Sequence, residues 1–176
     1  MQKMTFLLKQ IFGFLKLLNS ETGHNQLAAG IAAGFILGMT PMMSLQSLLV
    51  FLCVFFFRIQ AGAAFLAAFF FGFVAWIIDP VFHSVGSMIL EMDSLQALLT
   101  MMYNVPLVPL TRFNNSIVMG SAALTVPLSP VVFFLSLKLI VKYRQTVLAR
   151  FKETKFWKAV KATSLYSWYY TYDNLY

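Results

Sequence analysis

Two residues, Asp79 and His83, have the types and the spacing for proton chemistry. A carboxylate and an imidazole four residues apart can meet on one face of a helix, and such a pair near a membrane can relay protons. The plainer interpretation, which we favour, is that Asp79 caps a helix starting at Pro80 and that His83 lies at the membrane interface.

The other titratable residues form no recognisable catalytic or metal-binding set. His24 lies in a polar stretch, and the one cysteine, Cys53, lies inside an apolar run, so they offer no ligand cluster for a metal. Glu91 and Asp93 are two residues apart and would point in different directions on a helix. The sequence therefore predicts a protein that is not an enzyme and has no catalytic residues, no metal and no cofactor.

The composition is that of an integral membrane protein. Of the 176 residues, 60% are hydrophobic and 11% are charged, and the mean hydropathy is +0.76. A soluble domain has about 25% charged residues, so this chain could not cover its apolar surface in water. The net charge of +7 lies at the edges of apolar segments, which favours membrane lipid over nucleic acid as the partner.

Apolar periodicity predicts an all-α, polytopic helical membrane protein with broken or re-entrant short helices, forming a single membrane domain over residues 1–176. Its segments are, in order, an interfacial amphipathic helix at 1–20, a helical hairpin at 26–57, a span at 59–78, short helices at 80–103, a span at 116–141, and a basic cytoplasmic helix with an aromatic tail at 142–176. Head-group contacts are expected from basic residues of both amphipathic ends, namely Lys9, Lys16, Arg150, Lys155 and Lys158.

The distribution of basic residues predicts that the segment 26–57 is a hairpin. Basic residues gather near both termini, so both termini are expected in the cytoplasm and the number of membrane crossings must be even. The spans at 59–78 and 116–141 already supply an even number. The segment 26–57 is therefore expected to enter the membrane and return, and either a re-entrant or a nearly spanning hairpin fits. Interfacial helices and a second, outer hairpin are both compatible with 80–103.

Cap residues locate the turn of this hairpin. Thr40 is expected to cap the second helix and Pro41 to be its first residue. Asp79 and Pro80 have the same relation at the end of the next span, which predicts a second helix break there. Arg58, at the end of the hairpin, is expected to reach cytoplasmic head groups or, alternatively, to bind a lipid phosphate.

Small residues recur at helical spacing on two segments. Gly30, Gly34 and Gly38 repeat every four residues in the first arm of the hairpin, and a second stripe consists of Ala64, Ala68 and Gly72. Such stripes let membrane helices approach closely. The simplest expectation is that the two stripes pack against each other within one chain; the alternative is a homo-oligomer.

The hairpin also carries a resemblance. The stretch "HNQLAAGIAAGFILGMTPMMSLQSLLVFLCVFFFRIQ", followed by "WIIDP", resembles the bacterial membrane family called domain of unknown function 2062, over roughly residues 24–90. Gln60 stands where the family pattern has Asn, Asp79 where it has Asn before a proline, and Gln46 where His is common. The resemblance implies a multi-pass protein of the bacterial inner (cytoplasmic) membrane with a larger envelope protein as partner, and it implies no biochemical activity.

Two functions are compatible with these features. The first is a non-enzymatic inner-membrane subunit that docks a larger envelope partner in lipid transport. The alternative is a small transporter or lipid-handling permease with its site between the broken helices. The candidate ligand-binding residues of that site are Thr40, Pro41, Gln46, Arg58, Asp79 and His83.

Overall fold

The structure is a computed structural model that describes residues 22–57 and 59–148. All regular elements within these ranges are helical, which confirms the all-α class. They are α1 (His24–Met39), α2 (Leu45–Phe56), α3 (Ala61–Leu90), α4 (Asp93–Tyr103), a 3-10 helix (Val108–Thr111), α5 (Ser116–Tyr143) and a π-helical turn (Arg144–Leu148). The expected helix at 1–20, Arg58, the tail beyond 148 and the five predicted head-group residues (Lys9, Lys16, Arg150, Lys155 and Lys158) lie outside the described residues.

Contacts divide the chain into two compact units, residues 1–138 and 139–176. In the second unit the structure describes only the last turns of α5 and the π-helical turn that follows it. All the sites discussed below lie within the first unit.

The predicted break between α1 and α2 is confirmed, but its capping residues are not those expected. Thr40 ends α1, since its backbone N–H donates to the carbonyl of Ile36 at 3.1 Å. Ser44 caps α2 instead, because its Oγ accepts from the backbone N–H of Ser47 at 3.2 Å. Pro41 precedes α2, and its carbonyl accepts from Ser47 Oγ at 3.0 Å. Five non-helical residues, 40–44, separate α1 from α2. The residue that caps the N-terminus of α2 therefore lies after Pro41 and not before it.

The predicted break at Asp79–Pro80 is wrong, because α3 continues through both residues to Leu90. A proline inside a helix removes one backbone hydrogen bond, here the bond to the carbonyl of Trp76. In the next turn, Ser84 Oγ donates to the carbonyl of Pro80 at 2.9 Å, a local bond that does not replace the one lost at Trp76. The half of α3 beyond the proline packs closely against α5, and this packing outweighs the local signal.

Helices α1 and α3 run parallel in close contact. A Cβ atom added to Gly30 would lie 2.8 Å from Ala63 Cβ, and one added to Gly38 would lie 2.8 Å from Phe71 Cβ. The contacts move toward the C-terminus of α3 as they move toward the C-terminus of α1, so the two helices run parallel. The backbone N–H of Gln60 donates to the carbonyl of Gln26 at 3.3 Å. Hence α2 returns the chain to the end where α1 begins.

The half of α3 beyond Pro80 packs antiparallel to α5 through two glycines. A Cβ atom on Gly86 would lie 2.6 Å from the carbonyl carbon of Ser116, and one on Gly120 would lie 2.7 Å from that of Phe82. Asn115 fixes the start of α5, because its Oδ1 accepts from the backbone N–H groups of the next turn at 3.0 and 3.2 Å. The helix then runs without interruption through its two internal prolines, Pro127 and Pro130.

Two helices in the described residues are long and apolar enough to span a membrane, Ala61–Leu90 and Ser116–Thr146. Only 17% of the most apolar window of each is buried within the protein. A core helix of a soluble protein would be mostly buried. Most of the apolar surface of both helices therefore faces outward.

Candidate functional site

The turn between α1 and α2, residues 40–44, buries polar side chains among apolar helices. Thr40 and Ser44 are 4% and 6% exposed. Ser47, in the first turn of α2, is buried with them. Two residues of α5, Ser121 and Thr125, are also buried. Each polar group withdrawn from solvent needs a hydrogen-bond partner to offset the cost of its burial.

Gln46 connects this turn to α5. Its Nε2 donates to Thr125 Oγ1 at 3.1 Å, and Thr125 Oγ1 in turn donates to the carbonyl of Ser121 at 2.7 Å. Within the hairpin, Ser44 Oγ donates to Ser47 Oγ at 3.1 Å. The Gln46–Thr125 bond therefore connects the first turn of α2 to α5, while the two serines bond to each other and to Pro41 within the hairpin.

Two buried polar atoms of the turn have no hydrogen-bond partner among the described residues, Thr40 Oγ1 and Gln46 Oε1. A buried unpaired hydroxyl or carbonyl costs about 1–3 kcal/mol. Native proteins satisfy most such groups, so the exceptions concentrate where another molecule supplies the missing bond or where strain has a function.

Thr40 also lines a half-open pocket between α1, α2 and α3, with a volume of about 590 Å³. Among the described residues that line it, the polar side chains are those of Thr40 and Ser47, both near the turn. The walls are apolar and include Leu37, Leu48, Phe51, Phe65, Phe69 and Gly72. The volume lies within the range of pockets that bind small molecules, about 300–1,000 Å³.

The structure brings together only part of the predicted ligand-binding set. Thr40, Pro41 and Gln46 lie at the turn. Asp79 and His83 lie further along α3, beyond the level of Gly72, which faces Gly38 near the end of α1. Arg58 is outside the described residues.

His83 pairs with α5, so the proposed Asp79–His83 proton relay is not formed. Its Nδ1 lies 2.6 Å from Ser116 Oγ on the exposed surface. No hydrogen bond or ion pair joins it to the half-buried Asp79 among the described residues, and α3 continues through Asp79, so Asp79 caps no helix. Among the described residues no third group is seen to orient this serine–histidine pair, as the activated serine of a catalytic triad requires.

The predicted packing residues face each other as two stripes. A Cβ atom on Gly34 would lie 2.9 Å from the backbone nitrogen of Ala68, and one on Gly38 would lie 3.0 Å from Ala68 Cα. Gly72 faces the carbonyl of Gly38 at 3.8 Å. The two helices thus approach backbone to backbone, as glycine stripes in membrane helices allow.

Six residues of the site and its frame were not singled out from the sequence. They are Ser44, Ser47, Gly86, Gly120, Ser121 and Thr125. The signal was present as hydroxyl and small residues inside apolar helices, where a polar side chain must find a partner. Ser121 and Thr125 are four apart and so share one face of α5.

Comparison with known proteins gives one family. The model of a family described as "Uncharacterized protein conserved in bacteria (DUF2062)" matches residues 11–148. A protein of Treponema pallidum (strain Nichols), described as an uncharacterized protein, is 31% identical over 114 residues, which cover 65% of this chain and 70% of that relative. No solved structure matches. The match confirms the resemblance seen in the hairpin motif and extends it on both sides.

Proposed function

The chain belongs to the bacterial family DUF2062, and from this premise we propose that it is an integral, multi-pass protein of the inner membrane. Its function is to bind and handle membrane lipid at a site between α1, α2 and α3, without catalysing a reaction. The observation that carries this proposal is the buried polar turn at Thr40, which opens onto an apolar pocket.

The exposed apolar surface supports a membrane location. Helix α2 exposes leucine and phenylalanine along most of its length, and Trp76 on α3 is 81% exposed. Contiguous apolar surface of this extent is tolerated where lipid, and not water, covers it. The basic residues near both termini support a topology in which the N-terminus and the C-terminus both lie in the cytoplasm.

The pairing of α1 with α3 supports a re-entrant hairpin. The turn after α1 lies near Gly72, about eleven residues or ~17 Å from the start of α3 at the helical rise. This depth is close to the middle of a hydrocarbon core of about 30 Å. Non-helical backbone is stable at such a depth only when protein or a polar cavity surrounds it. Here the two methionines of the turn face outward, while Thr40 and Ser44 face inward.

Lipid retained by the purified protein tests the proposal. Wild-type protein, washed extensively in detergent, should keep a defined lipid that mass spectrometry of the intact complex detects. Gly72→Leu should lose that lipid, because the new side chain occupies the pocket while its Cβ meets only the Gly38 carbonyl at 3.8 Å. Ala97→Leu on the exposed face of α4 is the matched control and should keep the lipid. If both variants keep the same lipid in the same amount, the site is elsewhere.

A second candidate function, docking of a larger envelope partner, is supported by the segment between α4 and α5. Leu107 and Arg112 have positive φ angles of 72° and 58°, which is unfavourable for residues other than glycine. They flank the 3-10 helix, where Leu107 and Leu110 are each 76% exposed. A strained segment that presents leucines outward suits recognition of another protein.

Co-purification in mild detergent tests this second candidate. Wild-type protein should bring down one larger envelope protein, and Leu107→Asp should release it while leaving the retained lipid unchanged. A wild-type protein that always emerges alone, or as a homodimer, would count against a docking function.

A further inference from the structure

We propose that α4 and the 3-10 helix bind the surface of the membrane on the side away from the cytoplasm. Their exposed apolar side chains enter the outer leaflet and contact lipid acyl chains, while the polar face of α4 stays in water. This inference rests on the proposed function, since it assumes the multi-pass topology proposed there.

Helix α4 is amphipathic. Gln96, Thr100 and Asn104 recur every four residues and share one face of the helix. They line an open pocket of about 310 Å³, which leaves room for water. Leu98 and Met101 lie off this face and are 48% and 62% exposed. A helix with one polar face and exposed apolar residues on another is suited to lie in the plane of a membrane interface.

The 3-10 helix lies beside the turn of the α1–α2 hairpin. It contacts α2, and only five residues separate Thr111 from Ser116, a distance of at most ~18 Å. Ser116 packs against Gly86. The end of α2 packs on the start of α3 through Val54 and Ala64, which is ~33 Å from Gly86 at the helical rise. The end of α2 is therefore out of reach, and the contact is with its first turns.

This contact brings exposed leucines to membrane depth. The proposed topology puts the hairpin turn inside the bilayer, so the element beside it must be covered by lipid or by protein. Leu107 and Leu110 at the 3-10 helix are each 76% exposed, and Met42 and Met43 of the turn are 89% and 75% exposed. Lipid that covers the turn therefore also reaches the 3-10 helix.

The irregular backbone after α4 is hydrogen-bonded from within. Pro106 and Pro109 have no N–H group. Five other N–H groups donate to carbonyls three or four residues earlier, those of Asn104, Val105, Val108, Leu110 and Arg112. Water would supply these bonds to an ordinary surface loop, whereas lipid cannot, so a segment in contact with lipid must make them itself.

Lipid, and not a protein partner, is the occupant that these observations favour. The second candidate function assigns the same leucines to a protein, but the stretch 94–111 has no charge that a partner could complement, and its paired backbone leaves few donors for a partner to bind. Exposed charged residues lie at both ends of the segment, Glu91 and Asp93 before it and Arg112 after it. They mark where the chain returns to water, and apolar area between them supplies the binding.

Collisions of a spin label with oxygen, which concentrates in the bilayer, or with a water-soluble nickel chelate test the proposal. Full-length protein with Cys53→Ala, which removes the one native cysteine, is labelled at one introduced cysteine. It is then reconstituted without other proteins in vesicles of phosphatidylethanolamine and phosphatidylglycerol. Labels at Met101→Cys and Leu107→Cys should collide more often with oxygen than with the chelate. Ala97→Cys, near the polar face of the same helix, is the matched control and should show the reverse.

An excess of chelate collisions at position 101 or 107, or of oxygen collisions at position 97, would overturn the assignment. Leu110→Cys repeats the measurement at a second exposed leucine, so the result does not depend on one variant. Each labelled protein should keep the helicity of the wild type, as measured by far-ultraviolet circular dichroism.

A label on α2 separates this inference from the proposed function. Leu49 is 51% exposed, and Leu49→Cys reports whether the hairpin lies in the bilayer. If this label collides mainly with oxygen and the label at Leu107→Cys mainly with the chelate, the hairpin is in the membrane and only the binding of α4 and the 3-10 helix to lipid is wrong. If both collide mainly with the chelate, the proposed topology is wrong as well.

Discussion

Gly34→Ala should destabilise the protein, whereas the same substitution at Gly72 should stabilise it. Both glycines lie within helices and on the facing stripes of α1 and α3, so the two substitutions are chemically identical. They differ in the space that the structure leaves for a Cβ atom. Comparing the two variants therefore separates the effect of the close α1–α3 contact on stability from the general effect of replacing a glycine in a helix.

The magnitudes follow from the neighbours of each added methyl group. At Gly34 the Cβ would meet the carbonyl of Ala64, with Ala67 Cβ at 2.6 Å and the Ala68 nitrogen at 2.9 Å. None of these atoms can swing away, so the helices must separate by about 1 Å to restore ordinary contact distances. Overpacking of this kind costs about 1–3 kcal/mol, and better helix propensity returns about 1 kcal/mol.

The expected result for Gly34→Ala is thus a net loss of up to about 2 kcal/mol. At Gly72 the nearest atom to the added Cβ is the Gly38 carbonyl oxygen at 3.8 Å, an ordinary contact. Only the gain in propensity remains there, up to about 1 kcal/mol.

Unfolding by sodium dodecyl sulfate in dodecyl maltoside micelles, followed by far-ultraviolet circular dichroism, measures both changes. The midpoint should shift down for Gly34→Ala and up for Gly72→Ala, with the same starting helicity. A stabilised Gly34→Ala protein would refute the close parallel packing. A destabilised Gly72→Ala protein would show that the wall of the pocket at that position is tighter than the backbone geometry indicates.

Three further predictions use the same titration. Gly86→Ala should lose more stability than Gly34→Ala, because its Cβ would meet the carbonyl oxygen of Ser116 even more closely than the Cβ at position 34 meets that of Ala64; wild-type stability would contradict the α3–α5 contact. Gln46→Ala and Thr125→Ala should show a coupling energy of about 0.5–1.5 kcal/mol in a double-mutant cycle, and additive effects would mean that their hydrogen bond contributes nothing. Thr40→Val should raise the stability of delipidated protein by about 1 kcal/mol, since the hydroxyl that it removes is buried without a partner; a loss would show that the protein itself satisfies that hydroxyl.

The sequence predicted the position of the hairpin break correctly, but not the residue that caps the second helix. The break after Met39 was predictable, because a proline weakens a helix and charge counting required the chain to return at this point. The cap was placed at the wrong residue, since Thr40 and Ser44 are both good capping residues by type. Only the path of the turn decides between them, and in the structure Ser44 is the residue whose Oγ accepts the Ser47 N–H.

The site was predictable only in part. Thr40 and Gln46 were predictable as polar residues beside a break in an apolar hairpin. In the structure each has one buried side-chain atom without a hydrogen-bond partner among the described residues. Their neighbours on α5 did not stand out, because Thr125 lies 79 positions from Gln46. No local pattern carries contacts at that separation. Asp79 and His83 were grouped by their spacing, but His83 lies against Ser116 of another helix.

The sequence by itself determined the helical class, the apolar surface, the hairpin break and the small-residue stripes, because all of these depend on composition or on neighbours within one or two helical turns. Tertiary structure decided the rest. It carried α3 through Pro80, since close packing of Gly86 against α5 outweighs one lost backbone hydrogen bond. The predicted hairpin already implied that α1 and α3 run in the same direction. How closely the two helices approach, and that a pocket with Thr40 at one end lies beside them, depends on side chains far apart in the chain and so was decided only by the tertiary contacts.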